Sequence, residues 1–270
     1  MVYLRAFSFT VDSANVAPLS DQLSLSSVPM SPEKQLFLQR IDPAMHLTEL
    51  RQLQSCSYQQ LYQSSRQVRE EPWPVTSTAL MKFQIWDTKM PDTMKEPMRR
   101  LIRSDMLYSK ILVLSAPSLR VPFFEYSTAL ILDYATESAE NVLLIEERST
   151  EFIYWTSHDL RRAAYVSRTF LDILDEGFSS LLSGITPRAP PDPEQSSALP
   201  SLRCRTRAQM ARRVTSCLDS LYNILEYLGA KFGDLEPWEI HKARRIQILQ
   251  NLRDYRARQI RYRGTTVQAP

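Results

Sequence analysis

Along most of the chain apolar residues return every three or four positions, the spacing that gathers them on one face of an α-helix. From Pro91 and Asp92 to about Ala116, residues such as Leu101, Ile102, Met106 and Ile111 form a broad apolar face. Phe123 to Glu147 repeats the pattern with Leu130, Ile131, Tyr134, Ala135 and Val142. It leaves Glu125, Asp133, Glu137 and Glu140 on the polar side. Thr156 or Ser157 then caps a further helix, with Asp159 in its first turn, where the helix dipole favours an acid. Leu160, Val166, Phe170, Leu171 and Leu174 are its apolar positions, and it ends near Leu182, Ser183 and Gly184.

Two helices follow toward the C-terminus. Arg205 to Leu228 carries Met210, Val214, Cys217, Leu221, Ile224 and Leu228, with Gly229 suited to the stop. Asp234 caps the last helix, which has Pro237 near its first turn, bears Ile240, Ile246, Leu249 and Leu252, and runs to about Arg258. Upstream the pattern is thinner. Helical order begins at Ser31 and Pro32 and starts again at Asp42 and Pro43, because proline fits a first helical turn and breaks an interior one. Leu47, Leu50, Leu53 and Leu61 stripe that second segment to about Arg69. Glu70 to Pro74 is a break, Thr76 to Asp87 a short helix, and Pro117 to Pro122 a turn.

No strand pattern competes. The short runs Ile111–Leu114 and Val142–Ile145 lie inside longer helical periods and are read as helix. The fold class predicted is all-α, a multi-helix orthogonal or antiparallel bundle. Residues 1–30 are an irregular serine-rich lead-in, 31–260 a helical domain, and 261–270 a tail. The stretch 186–201 holds five prolines and is read as a mobile surface loop.

Composition agrees with a folded chain, at 43% hydrophobic and 23% charged. The five glycines, against 17 prolines, disfavour folds that wrap glycine-rich loops around a cofactor. Neither Gly-x-x-x-x-Gly-Lys-Ser/Thr nor Gly-x-Gly-x-x-Gly occurs. Cys56, Cys204 and Cys217 are odd in number and widely spaced, which argues against a disulfide framework and for a reducing compartment. No apolar run is long enough for a membrane span, and the first residues do not read as a secretory signal, so an intracellular protein without membrane contact is expected.

Candidate chemistry is sparse. His46, His158 and His241 fall on different helices with no second ligand at metal spacing, so no metal, cofactor or catalytic residue is assigned. There is no Gly-x-Ser-x-Gly, and Cys217 lies on an apolar stripe as a small core residue. Two basic clusters remain. Arg203, Arg205, Arg207, Arg212 and Arg213 open one helix, and a second set runs along the last helix. Of these, Arg244, Arg245, Arg253 and Arg256 are the candidates for contact with nucleic acid or a partner, although solvated helix faces explain them as well.

Two stretches resemble the regulatory, or middle homology, domain of fungal zinc binuclear cluster transcription factors. One is Arg161–Leu174. The other is the closing pair, Arg212–Leu225 followed by Asp234–Leu249. The resemblance covers about Asp92 to Arg258 and lies mainly in apolar spacing. It implies a nuclear (alternatively cytoplasmic) regulator of transcription that acts through protein partners or a small effector and is able to form a homodimer. One departure is plain: three scattered cysteines cannot build the family's six-cysteine, two-zinc module. DNA contact is therefore expected only indirectly or through a missing module, in a fragment of such a protein or a relative that lost it. A helical enzyme of secondary metabolism with a pocket of scattered residues, and a scaffold for partner helices, stay open as alternatives.

Overall fold

The computed structural model describes residues 32–63, 73–92, 94–116, 124–148, 155–190 and 199–265; side chains at 32–42, 124, 146–148, 256 and 258–265 lie outside the description. The expected lead-in 1–30, the turn at Pro117–Pro122, the start of the break at Glu70, and residues 266–270 of the tail fall outside the described residues. The chain divides into two compact units, Met1–Arg40 and Ile41–Pro270. Of the first only the backbone of 32–40, a stretch of helix, is described. The rest concerns the second.

Seven helices and no strand form among the described residues, so the chain is all-α. They are α1 (Pro32–Tyr62), α2 (Trp73–Thr88), α3 (Glu96–Leu114), α4 (Phe124–Arg148), α5 (Ser157–Leu181), α6 (Arg207–Phe232) and α7 (Glu236–Thr265). The runs Ile111–Leu114 and Val142–Ile145 are helical, inside α3 and α4.

Helix α4 packs against α3, α5 and α6, while α7 lies on α5 and α6 and α2 on α3. Its central place follows from its composition. Ala129, Ala135 and Ala139 let neighbouring helices approach, while Leu130, Ile131, Leu132 and Tyr134 fill the space around them, so α4 is buried on most of its circumference. Phe83, Ile111, Phe170, Leu171, Leu174, Leu218 and Leu225 carry the core through the other helices. Cys217 is buried on the α6 stripe, as its spacing predicts, and burial raises its thiol to about 12.

Several boundaries differ from the sequence reading. α2 takes in Trp73 and Pro74, expected in the break, and α3 begins at Glu96 rather than at Pro91 and Asp92. Two others differ for a local reason. Pro43 does not restart a helix, because α1 runs through it from Pro32 to Tyr62. Just beyond the proline, Trp86 of α2 donates its indole N–H to the His46 carbonyl at 3.0 Å and stacks on the His46 ring at 4.0 Å. That contact holds the helix on its far side. Gly229 does not stop α6, which continues to Phe232 and ends at Gly233 with φ 71° and ψ 23°. A left-handed residue closing a helix is the usual place for glycine. Gly229 serves a close approach instead, since a Cβ there would lie 2.8 Å from the Asp234 carbonyl oxygen. The last helix likewise runs past Arg258 into the expected tail.

The proline-rich stretch is anchored on both sides of residues 191–198, which lie outside the description. Ala189, Leu199 and Leu202 pack on the core, and Tyr126 donates its hydroxyl to the Pro200 carbonyl at 2.6 Å.

Candidate functional site

Four helices meet around a cleft of about 50 Å³. Each presents one face at helical spacing: Leu101, Ser104, Asp105 and Tyr108 from α3, and Asp159, Arg162, Ala163 and Val166 from α5. α4 contributes Ser138, Ala139 and Val142, α6 contributes Leu221, Ile224 and Leu228, and Trp155 closes one side. The space exists because small residues face one another. Ser104, Ser138, Ala139 and Ala163 stand where larger side chains would interlock and fill it.

The polar groups of the cleft gather at one end. Asp105 accepts from Arg162 at 2.6 Å and, on its other oxygen, from Arg51 of α1 at 2.7 Å. Arg162 reaches back to Asp159 at 3.3 Å. Asp159 in turn accepts from the backbone N–H and the hydroxyl of Thr156, both at 2.7 Å, which fixes the first turn of α5. Burial pushes the Asp105 carboxyl above its ordinary range, and the two guanidinium groups pull it back. Gln54 of α1 donates to Ser109 at 2.6 Å, and Ser109 donates to the Asp105 carbonyl at 2.7 Å, so the backbone beneath the carboxylate is also held.

Inside the cleft Ser104 is 8% exposed, and its Oγ has no hydrogen-bond partner. Buried hydroxyls in folded proteins are normally bonded. Those of Thr76, Ser127 and Tyr134 also lack partners, but Ser104 is the one of these that lines the cleft. Tyr108 lies edge-on to Tyr165 at 5.5 Å, and Tyr165 shares a 2.6 Å hydrogen bond with Ser115. The arrangement offers apolar walls, the hydroxyls of Ser104, Ser138 and Tyr108, and a compensated group of charges.

The residues singled out in the sequence lie elsewhere. Arg244 pairs with Asp172 at 2.9 Å and with Asp175, and Arg245 pairs with Asp219 at 2.5 Å while resting 5.1 Å over the Tyr222 ring. Both therefore bind α7 to its neighbours. Arg253 is exposed, and the side chain of Arg256 lies outside the described residues. In the other basic cluster Arg205 and Arg213 meet on Asp133 of α4, at 2.7 and 3.1 Å. Of the histidines, His158 lies exposed in α5, whereas His46 and His241 are buried. Burial lowers the pKa of both. Among the described residues no three His, Cys, Asp or Glu side chains are grouped to hold a metal ion, and no helix is long and apolar enough to cross a membrane.

Asp105, Arg162 and Ser104 escaped the sequence reading. Their signal was present, since Asp105 interrupts the apolar face between Ile102 and Met106 and a charge there needs a partner. The partner's identity was not encoded locally, because Arg51 and Arg162 stand 54 and 57 residues away. Set against family models, curated proteins and solved structures, the chain matches none of them.

Proposed function

We propose that the chain is a regulatory domain of transcription that senses a small effector in the cleft between α3, α4, α5 and α6 and passes the signal to protein partners in the nucleus. The observation that carries this reading is the cleft itself, apolar on its walls, with a buried hydroxyl lacking a partner. A ligand that fills such a space favours whichever packing of the four helices accommodates it, and so shifts a population between two packings. The stretches that resemble the fungal regulatory domain lie on α5, α6 and α7, the first two of which line the cleft. The pairing of Arg244 and Arg245 with aspartates of α5 and α6 favours action through partners over direct contact with DNA.

The test is a reporter assay. The chain is fused to an unrelated DNA-binding module, alone and with Ala163→Leu, which narrows the cleft. A severalfold change in reporter output from the native chain, altered by the cleft variant at equal protein level, is the expected result. Output indistinguishable from the DNA-binding module alone, in both forms, sinks the reading.

A further inference from the structure

We infer that the cleft takes a small neutral ligand, apolar over most of its length and carrying one oxygen that meets Ser104. This rests on the effector reading above and narrows it to a chemical class. Ser104 supplies the first half of the argument. Its hydroxyl is buried and unpartnered; of the other lining residues, Ala139, Ala163, Val166 and Ile224 hold no polar side-chain atom, and Ser138 and Tyr108 do not bond to it. An alcohol or carbonyl oxygen on the ligand gives that hydroxyl the bond it would have in water.

Charge supplies the second half. Arg51 and Arg162 are matched by Asp105 and Asp159, two cations against two anions, all within one connected group. A carboxylate ligand has to displace an aspartate from Arg162 before it is paired. An ammonium has to displace Arg162 itself. A neutral ligand disturbs neither, which is the less costly course in a partly buried site.

Size sets the form. About 50 Å³ is roughly a third of the cavity that encloses a benzene ring. The cleft therefore admits a head of a few heavy atoms, and because it opens to solvent the remainder of the ligand passes out at the mouth.

The purified full chain is titrated with 1-pentanol, 2-pentanone and pentanoate, following the emission of Trp155, with Trp155→Phe to assign the signal. Saturable binding of the alcohol and the ketone is expected, with pentanoate at least about tenfold weaker, as the paired charges require. Ser104→Ala removes only the oxygen at a helical position, so the thermal midpoint stays level or rises. Its affinity for alcohol and ketone falls about five- to tenfold, the worth of one hydrogen bond. Ala163→Leu, at a half-buried site, abolishes both. Pentanoate binding as well as pentanol, an unchanged affinity in Ser104→Ala, or no saturable response to any of the three overturns the inference. Binding with a silent reporter removes the transcriptional reading and leaves this one standing. A reporter that responds only to a charged effector does the reverse.

Discussion

Ser167 of α5 donates its hydroxyl hydrogen to Nδ1 of His241 on α7 across 2.6 Å, while the opposite ring nitrogen donates to the Leu218 carbonyl of α6 at 3.0 Å. A carbonyl can only accept, so Nε2 carries the proton and Nδ1 of the neutral ring is left to accept. One fully buried imidazole thus ties three helices.

His241→Leu keeps the volume and removes both bonds, leaving the Ser167 hydroxyl without its partner and the Leu218 carbonyl with only its bond inside α6. The expected loss is about 2–3 kcal/mol in urea denaturation, against about 1 kcal/mol for Ser167→Ala. The double variant should cost clearly less than the sum, because the two side chains share one bond. Additive losses would show that the contact contributes nothing.

The same ring makes stability depend on pH. Burial is the largest cause of its lowered pKa. Arg245 and Arg244 lower it further, against the Leu218 hydrogen bond and Asp219, which raise it. The folded state therefore binds fewer protons than the unfolded state just below the ordinary histidine value of about 6.5. Stability rises with pH wherever the unfolded state holds more protons. The contribution is fully present above that value and is lost as pH falls below it. His46, lowered chiefly by burial, acts in the same sense. Between pH 7.5 and 5.5 the urea midpoint of the native chain should fall on acidification, and that of His241→Leu should fall less. Equal slopes in the two proteins would contradict this assignment.

The helices were legible because each repeats its apolar positions with the period of the α-helix, a signal that is local and redundant over several turns. α4 to α6 stand within a few residues of their expected limits for that reason. Single residues with two uses were not legible. Pro43 and Gly229 carry the signature of a helix boundary, yet one sits in a helix held by Trp86 and the other makes room for the Asp234 carbonyl. The cleft was hidden for a different reason. Its four small residues read as ordinary helix formers until opposite faces are brought together, and the ion pairs that close one end join residues from three separate helices.

Asp105 separates two contributions of a buried charge. Its ionised form suffers from burial and gains from two arginines. Asp105→Asn keeps an acceptor for one guanidinium and avoids the desolvation cost, so a loss of about 1 kcal/mol is expected. Asp105→Ala leaves both arginines without their shared partner and opens space at the end of the cleft, for about 2–3 kcal/mol. The order of the two variants in chemical denaturation is the check. Asparagine as damaging as alanine would mean that the negative charge itself, rather than an acceptor in that place, holds α1 and α5 to α3.

The two glycines near the end of α6 have opposite requirements, and substitution distinguishes them. At Gly233 nothing lies within 4 Å of an added Cβ, and the strain of a substitution comes from φ 71° alone. Gly233→Ala should cost about 1 kcal/mol, and Gly233→Asn should recover part of it, because asparagine tolerates the left-handed region. At Gly229 the backbone is helical, and alanine on its own would favour the helix by about 1 kcal/mol. Its Cβ, however, would meet the Asp234 backbone oxygen at 2.8 Å, which a flexible side chain cannot relieve. That oxygen belongs to the turn closed by the Asp234 N–H bond to the Gly229 carbonyl at 3.0 Å, so the clash shifts the whole entry to α7. Gly229→Ala should therefore destabilise despite its better propensity, and Gly229→Asn should be worse still. Thermal unfolding of the four variants decides the matter: recovery by asparagine at 233 and further loss at 229 is the pattern that steric contact at one glycine and backbone conformation at the other demand.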